Sequence, residues 1–568
     1  MKRRTFVLLL LLANPDAGAA SWYLRPAGVT YGAGDGASYA NAWNSTTRIR
    51  WSQLASGDTL YICGMHDSGA PTDRALGAVR SNITISGACY NGTTADPGTM
   101  VGASVKIGSG NGGVAWSSGP DANGIYTYDP KAQGPPKYAM NESFQRVTMT
   151  TAPLTASTPC NTAYNEGRAT TYKPCRAPGT PGTPTLYLGF EMANFIEAPA
   201  GLTNFALRDL RLYLYYYGLR VVGGSNITVS GVTMRVFSKR YNDMIGLYGL
   251  IDGVTIRNNL FCDGGNGIYG HANRYWADSG QEGWRADLHK QNNVLIENNR
   301  ICEMWGDLDS HGIGMQGGNN WTVSKNYFHD IEGSVIVFYL PSNNNNNAND
   351  PQAIGPESAW TIHDARIENN VIRGTYQFPG SAGSGGHRGV EVTGHYSCIR
   401  QKGAFKRIVI RDNLLHNITS DGIYINAAQS DDGTAAVQVV GNTVDTIRDP
   451  TKAAFSWNNV LYGRCADEAA TGGTSALFTL NTVRSVATAI TTPNPSVGTM
   501  LVDYSQVSMT RNVYPAGAYM FWPSPAGKSA CASTGGTWGK YGNYCRFTAG
   551  SLAGYRSYSA REQGSVAQ

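Results

Sequence analysis

Apolar residues alternate with other residues in many short runs along this chain, and the runs share a frame. "FALRDLRL" (205–212), "ITVSGVTM" (227–234), "VTIRNNLF" (254–261), "VLIENNRI" (294–301), "WTVSKNYF" (321–328), "ARIENNVI" (365–372), "IVIRDNLL" (408–415), "VQVVGNTV" (437–444) and "VSMTRNVY" (507–514) mostly read apolar, any, apolar, any, any, Asn, any, apolar. A period of two predicts strands. The one-residue slip at Asn predicts a bend between two short strands. Asn tolerates the left-handed backbone such a bend needs, and its amide can bond to main chain. The Asn position holds Asn259, Asn299, Asn326, Asn370, Asn413, Asn442 and Asn512, which would form an internal ladder if the repeats stack.

A second, Gly-led run precedes these: "GLRVVGG" (218–224), "GIYGH" (267–271), "HGIGMQGG" (311–318), "GVEVTGH" (389–395) and "DGIYINAA" (421–428). The shortest spacings between bends are in the twenties, and longer ones carry insertions such as "PSNNNNNANDPQAIGPESAW" (341–360). Periods of this length indicate a solenoid, whose coils must stack to bury their apolar faces.

On these residues the chain resembles the right-handed parallel β-helix proteins of the pectate-lyase-like type, over most of residues 200–515. The resemblance is specific for the fold and weak for the reaction. It implies an all-β chain, a right-handed parallel β-helix solenoid with an N-terminal β insertion. Residues 21–110 read as the opening of the solenoid and its first coils, with "GDTLYI" as an early strand and "SNITISGACY" and "VKIGSG" continuing it. Residues 111–200 are rich in Gly, Pro and Thr and read as a β insertion, with strands in "NGIYTYDP", "FQRVTMTT" and "TPTLYLGF". Residues 201–515 form the main β-helix, and 516–568 read as a segment covering the last coil.

Residues 1–20 read as a secretory signal. "MKRR" is a basic start, "FVLLLLLA" is too short to span a bilayer, and "AGAA" supplies small residues for cleavage. No later segment is long and apolar enough to cross a membrane. The expected location is secreted or periplasmic. In that oxidising setting the ten cysteines are expected to pair. Sequential pairing would join Cys63 to Cys89, Cys160 to Cys175, Cys262 to Cys302, Cys398 to Cys465 and Cys531 to Cys545, each closing a local loop. The formal charge is +5, and losing Lys2, Arg3, Arg4 and Asp16 with the signal leaves +3. That balance argues against a nucleic-acid partner and is compatible with an acidic polymer.

Counting from the leading Gly, Ile268, Ile313, Val390 and Ile423 point inward, and alternate residues point out. The outward set holds Arg220, Val222, Tyr248, Tyr269, His271, Gln316, Glu391, Thr393, Tyr424 and Asn426, expected to be exposed. The feeding turns add Asp243, Asn266, Asp309, His311, His387, Arg388 and Asp421. Aromatic faces stack on sugar rings and amides bond to hydroxyls, so this strip suits a polysaccharide lying along it. Sheet propensity alone also places Tyr and Thr on outer faces.

β-Helix lyases acting on uronic-acid polymers need a cation for the developing enolate and a base for the C5 proton. Arg388 or Arg220 could supply the first, His311, His271 or Tyr248 the second, and a Tyr or His could return a proton to the leaving oxygen. Substrate contacts are expected from Arg220, Tyr269, Gln316, His387, Glu391, Tyr424 and Asn426. The leading expectation is therefore a polysaccharide lyase, monomeric, cutting an acidic polymer by β-elimination. A glycoside hydrolase needs two carboxyl groups, for which Asp309, Glu391 and Asp421 are candidates; an epimerase on the same groove is the neighbouring alternative. A non-catalytic polysaccharide-binding protein or adhesin is the third, since fold does not imply catalysis.

No closer signature settles the choice. Asp431-Asp432 occurs, but Gly394-His395 is followed by Tyr396, so the Gly-His-Gly of polygalacturonase-type hydrolases is not met. The Trp-x-Asp-His and Arg-Pro motifs of pectate lyases are missing. His387-Arg388 is in the reverse order of the Arg-His found in the chondroitinase B and alginate lyase group, and "DLDSH" (307–311) lacks the Pro and final Asp of mannuronan C5-epimerases. No cofactor is demanded. Calcium is the one metal the pattern admits, on Asp307 and Asp309 near Glu303.

Overall fold

The repeat folds as three short strands per coil. In one coil these are Ile313–Met315, Trp321–Ser324 and Tyr327–Ile331. Each pairs in parallel with its counterpart one coil on, namely Ile336–Tyr339, Arg366–Glu368 and Val371–Thr375. Repetition of this pairing builds three parallel sheets, so the chain is an all-β parallel β-helix. In two coils the first and second strands run together as Leu219–Ser230 and Asp243–Arg257, which fuses the first two sheets. The computed structural model describes residues 19–567 except 69–72, 104, 109–112, 130–135, 137, 167–168, 177–181, 190–192, 239–241, 272–289, 307–309, 340–360, 376–386, 394–404, 427–433, 450–451, 459–475, 485–487, 492–506, 515–518, 524–531, 534–536, 539–543 and 549–565.

Alternation explains the core. Ile245, Ile268, Ile313, Ile336, Val390 and Ile423 lie in register on successive coils, and all are wholly buried. Each such side chain contributes about 1.5–3 kcal/mol on burial, and they belong to one cluster running from Leu24 to Tyr514. The leading glycines have a steric cause. A Cβ at Gly267, Gly312, Gly389 or Gly422 would come 2.5, 2.8, 2.6 or 2.6 Å from a carbonyl oxygen of the next coil.

The Asn ladder is present, with one correction. Asn299 Nδ2 donates to Asn326 Oδ1 and to Ile256 O, both at 2.9 Å, and Asn299 N donates to Asn326 Oδ1 at 2.9 Å. The same pattern links Asn259 through Asn512, with Asn481 as an added rung in "LFTLNTV". The left-handed residue, however, is the one before each rung: Asn258, Asn298, Lys325, Asn369, Asp412, Gly441, Leu480 and Arg511, with φ between 54° and 68°. The bend turns at that residue, and the next Asn thereby points into the interior, where its amide is fully used. The identity of the strained residue varies because its own side chain makes no part of the ladder.

The segment between early coils and the main solenoid forms two small sheets. Tyr126–Tyr128, Ala169–Lys173, Thr162–Glu166 and Thr148–Thr150 make one; Val105–Ile107, Leu186–Gly189 and Tyr138–Asn141 make the other. Val105–Ile107, expected in the first coils, pairs antiparallel with Leu186–Gly189. These sheets share their own apolar cluster, around Ile107, Tyr172 and Leu188. They dock on the third sheet through Arg146, which donates to Asp263 Oδ1 at 2.5 Å and to Phe237 O at 2.6 Å. Disulfides join Cys63 to Cys89, Cys160 to Cys175 and Cys262 to Cys302. The other expected pairs, and the expected signal segment, fall on residues at least partly outside the described ones. Among the described residues no helix is long and apolar enough to cross a membrane.

Candidate functional site

The outward positions of the first sheet form three columns. At the mouth of the strands, two residues before the first inward position, stand Asp243, Asn266, His311, Ser334, Arg388 and Asp421 on successive coils. The next column holds Arg220, Gly246, Tyr269, Gly314, Val337, Glu391 and Tyr424. The third holds Val222, Tyr248, His271, then Gln316 after Met315, and further on Tyr339, Thr393 and Asn426. The direction of these side chains is as expected from the alternation, but their exposure is not. Tyr248, Tyr269, His271, His311, Gln316, His387, Glu391, Thr393, Tyr424 and Asn426 are all buried. Arg220, Arg388, Val222 and Tyr339 are intermediate. The polar groups can be buried because they pair with one another across coils.

Two clusters stand out. The first lies around Tyr248. Asp243 is fully buried; its Oδ2 is 2.7 Å from His271 Nε2 and accepts from the Tyr248 hydroxyl at 3.2 Å, and its Oδ1 accepts from Asn266 at 3.0 Å. The imidazole of His271 stacks on Tyr248, with centroids 4.4 Å apart and planes within 6°. Arg220 lies 5.0 Å from the Tyr248 ring centre and is itself ion-paired with Glu197. Burial first, and then the Asp243 charge, push the Tyr248 hydroxyl well above the usual phenol range. A phenol so placed favours its protonated form. Tyr269 reaches from His271 to Tyr339 and Gln316.

The second cluster centres on Arg388. Its Nη1 donates to Glu391 Oε1 at 2.7 Å, its Nε lies 3.7 Å from Asp421 Oδ2, and its guanidinium sits 3.7 Å over the Tyr424 ring. Glu391 also accepts from the Ser334 hydroxyl at 2.5 Å. Burial works against the Arg388 charge, but Glu391, Tyr424 and Asp421 outweigh it and hold the guanidinium above its ordinary value. Asp421 is raised above the usual carboxylate range by burial, with Arg388 opposing. Its Oδ1 accepts from Ala453 N at 3.1 Å.

Four coils separate Tyr248 from Arg388 and three separate His271 from it, about 19 and about 14 Å at about 4.8 Å per coil. His271 and Tyr248 therefore cannot act on the same bond as Arg388, and that grouping of candidates is not brought together. Arg220, Tyr248 and His271 are. His311 stands between the clusters, 6.1 Å from Tyr269 and bonded through Nδ1 to Ser334 O at 2.8 Å. His387 directly precedes Arg388 and bonds to Glu332 O. Asn426 bonds to Thr393 at 3.3 Å. Asp307, Asp309 and therefore the calcium expectation lie outside the described residues, and among those described no group of three metal-ligating side chains occurs. Sequence reasoning put no weight on Ser334 or Glu332. Their one signal is position: Ser334 stands at the strand mouth in a coil whose leading residue is Val335 rather than Gly, so the Gly-led pattern passes over it.

No protein-family model and no curated protein matches the chain. Among solved structures, one described as a glycoside hydrolase is similar with a TM-score of 0.53 at 10% identity, covering 85% of this chain and 98% of its own. The complex of XylC with xylose aligns at a TM-score of 0.47 and 11% identity, over 88% of this chain and 84% of its own. The exopolygalacturonase of Thermotoga maritima aligns at 0.34 and 9%, over 82% of each chain. The first likeness is one of fold, and the other two are too distant to argue from.

Proposed function

We propose that this protein is a carbohydrate-active enzyme acting outside the cytoplasm on a polysaccharide, and that it is a glycoside hydrolase with Glu391 and Asp421 as its carboxyl pair. The observation that carries the reading is the position of these two buried carboxyls on adjacent coils, on either side of Arg388. Glycosidic hydrolysis needs one carboxyl as acid and another as carboxylate, and environments that separate the two roles are the mark of such a pair. Burial favours the acid form of Asp421, which suits it to protonate the glycosidic oxygen. Glu391 accepts from a guanidinium and a hydroxyl, donors that match a carboxylate. It acts on the anomeric carbon, directly or through water. The shared fold with a glycoside hydrolase is in keeping with this reading.

The lyase expectation is the second reading, and a specific cluster favours it: Arg220, Tyr248 and His271 place a cation, a hydroxyl and an imidazole together. It ranks second because both arginines of the strip are paired with carboxylates, and Asp243 adds a further negative charge beside His271. A uronate substrate would meet carboxylates where β-elimination needs net positive charge.

The test is a time course of the purified protein against a panel of neutral and acidic polysaccharides, following both reducing ends and ultraviolet absorbance. New reducing ends without a conjugated double bond, lost in Glu391→Gln, are expected. An absorbance rise that survives Glu391→Gln and disappears in His271→Ala would establish the second reading instead.

A further inference from the structure

The solenoid opens on Ser21–Leu24, which pairs with Thr59–Ile62, and Arg25 follows at once. Its guanidinium lies over two aromatic rings, 3.9 Å from the centre of Tyr31 and 4.1 Å from that of Tyr39. Ring contact uses the flat of the guanidinium and leaves its edge, where the N–H groups point, for hydrogen bonds. Among the described residues nothing takes them up. The Arg25 side chain has no hydrogen bond and no ion pair there, and its Nε is buried without a partner.

Arg25, Tyr31 and Tyr39 line a cavity of about 310 Å³ together with Asp67, Asp73 and Asp96. That volume is at the small end of ligand pockets. Each carboxylate is held by donors of its own. Asp67 Oδ2 accepts from Lys106 Nζ at 2.6 Å and from the Tyr187 hydroxyl at 2.9 Å, both on the β insertion. Asp73 Oδ1 lies 2.7 Å from His66 Nδ1, and its Oδ2 accepts from Ala27 N at 3.2 Å. Asp96 Oδ2 accepts from the Tyr39 hydroxyl at 2.9 Å. Asp67 and Asp96 keep Oδ1 without a partner among the described residues. The walls are tied by the Cys63–Cys89 disulfide and by Gly64 N, which donates to Asp96 O at 3.2 Å. The cavity thus stands where the first coil meets the insertion, at the start of the third sheet, while the strip runs along the first.

We propose that this cavity binds a single uncharged saccharide unit, as a second glycan site apart from the strip; the choice of a saccharide rests on the glycan-enzyme reading above. The wall selects the ligand by carrying both signs. Burial first, and then Arg25, Asp73 and Asp96, act on the Tyr31 hydroxyl, with a net rise, so these three charges lie close together. An anion on Arg25 would meet Asp73 and Asp96, and a cation on Asp96 would meet Arg25. A sugar hydroxyl both accepts and donates. It can take a proton from the guanidinium edge while a neighbouring hydroxyl gives one to Asp67 or Asp96. Holding Arg25 by two rings and Asp67 by two donors fixes both sides before the ligand arrives, which lowers the cost of binding.

The experiment is calorimetric titration of the purified protein with glucose, galactose, mannose, xylose and cellobiose, and in parallel with sulfate, glutamate and putrescine. The variants are Arg25→Lys, Asp96→Asn and, for the strip, Glu391→Gln. Binding of at least one saccharide is expected, weakened about tenfold in Arg25→Lys and in Asp96→Asn and kept in Glu391→Gln. Thermal midpoints should stay near the wild type, since a lysine ammonium can still lie over the rings and an asparagine oxygen can still accept from Tyr39. The site is overturned by a wild type that binds no saccharide, by affinity unchanged in both cavity variants, or by affinity lost in them only together with lowered midpoints. It is equally overturned by saccharide binding that disappears in Glu391→Gln, or by sulfate, glutamate or putrescine bound in place of a saccharide. Failure of the hydrolase reading would look different: saccharide bound in the same variant-sensitive way, with no reducing ends released from any polymer.

Discussion

Arg388 donates to Glu391 at 2.7 Å while its guanidinium lies over the Tyr424 ring. The planar fork fits this place because it can stack and bond at once, and a lysine ammonium cannot do both. Arg388→Lys should therefore lower kcat/KM about 10- to 100-fold, roughly 1.4–2.7 kcal/mol of transition-state stabilisation. Steady-state kinetics on the polymer identified by the reducing-end assay would check this. A variant with full activity would remove Arg388 from the reacting centre.

His271 Nε2 and Asp243 Oδ2 lie 2.7 Å apart in a second buried contact of the strip. Asp243 also anchors Asn266 and Tyr248. Removing it takes this acceptor from the buried Asn266 amide and leaves the Tyr248 hydroxyl with Tyr217 alone, so Asp243→Ala should cost about 1–3 kcal/mol of stability, the penalty of a buried orphan. Denaturant unfolding measures it. In the hydrolase reading His271→Ala costs less than tenfold in kcat, because His271 stands three coils, about 14 Å, from Glu391.

How legible the molecule was in its sequence depends on which force acts at each position. The interior was legible because it is periodic. Ile268, Ile313, Val390 and Ile423 face inward by alternation, and Asn299, Asn326 and Asn370 announce the bend by one repeated letter. The residue that carries the bend's strain was not legible, since Asn298, Lys325 and Asp412 share no side-chain role there. The strip was legible in direction but not in exposure. Alternation says which way Glu391 and Tyr269 leave the sheet, and cannot say that they find partners on other coils. Ser334 and Glu332 escaped notice because their roles come from stacking of distant segments, with Ser334 and Glu391 separated by 57 positions.

Asp421 gives a pH dependence of defined sign. Burial raises its folded-state value above the unfolded one, with Arg388 opposing. The folded protein therefore binds this proton more tightly than the unfolded chain. The contribution is fully present below the unfolded carboxylate range and is lost as pH rises through the raised folded value. Asp421→Asn should remove that part of the slope, and should be at least as stable as the wild type at neutral pH while inactive. Thermal midpoints of both proteins across the acid range would show it; parallel curves would count against a raised Asp421.

The ladder offers a test in which chemistry, not size, decides. Asn326 Nδ2 donates to Ile296 O at 2.9 Å and to Asn370 Oδ1 at 3.0 Å, while its Oδ1 accepts from Asn299 N and Nδ2. Asn326→Ala leaves Ile296 O and Asn299 N unpaired in the interior. At about 1–3 kcal/mol for each of these two buried orphans, the loss should be about 2–6 kcal/mol. Asn326→Asp has the same shape but, ionised, offers oxygen to two acceptors and buries a charge, so at neutral pH it should be the more damaging of the two. At acid pH the new carboxyl takes up a proton and can donate once again. The Asp variant should therefore regain stability relative to the Ala variant as pH falls, a crossing that paired unfolding curves at two pH values would reveal. Equal losses at both pH values would mean that the rung is held by packing and not by its hydrogen bonds.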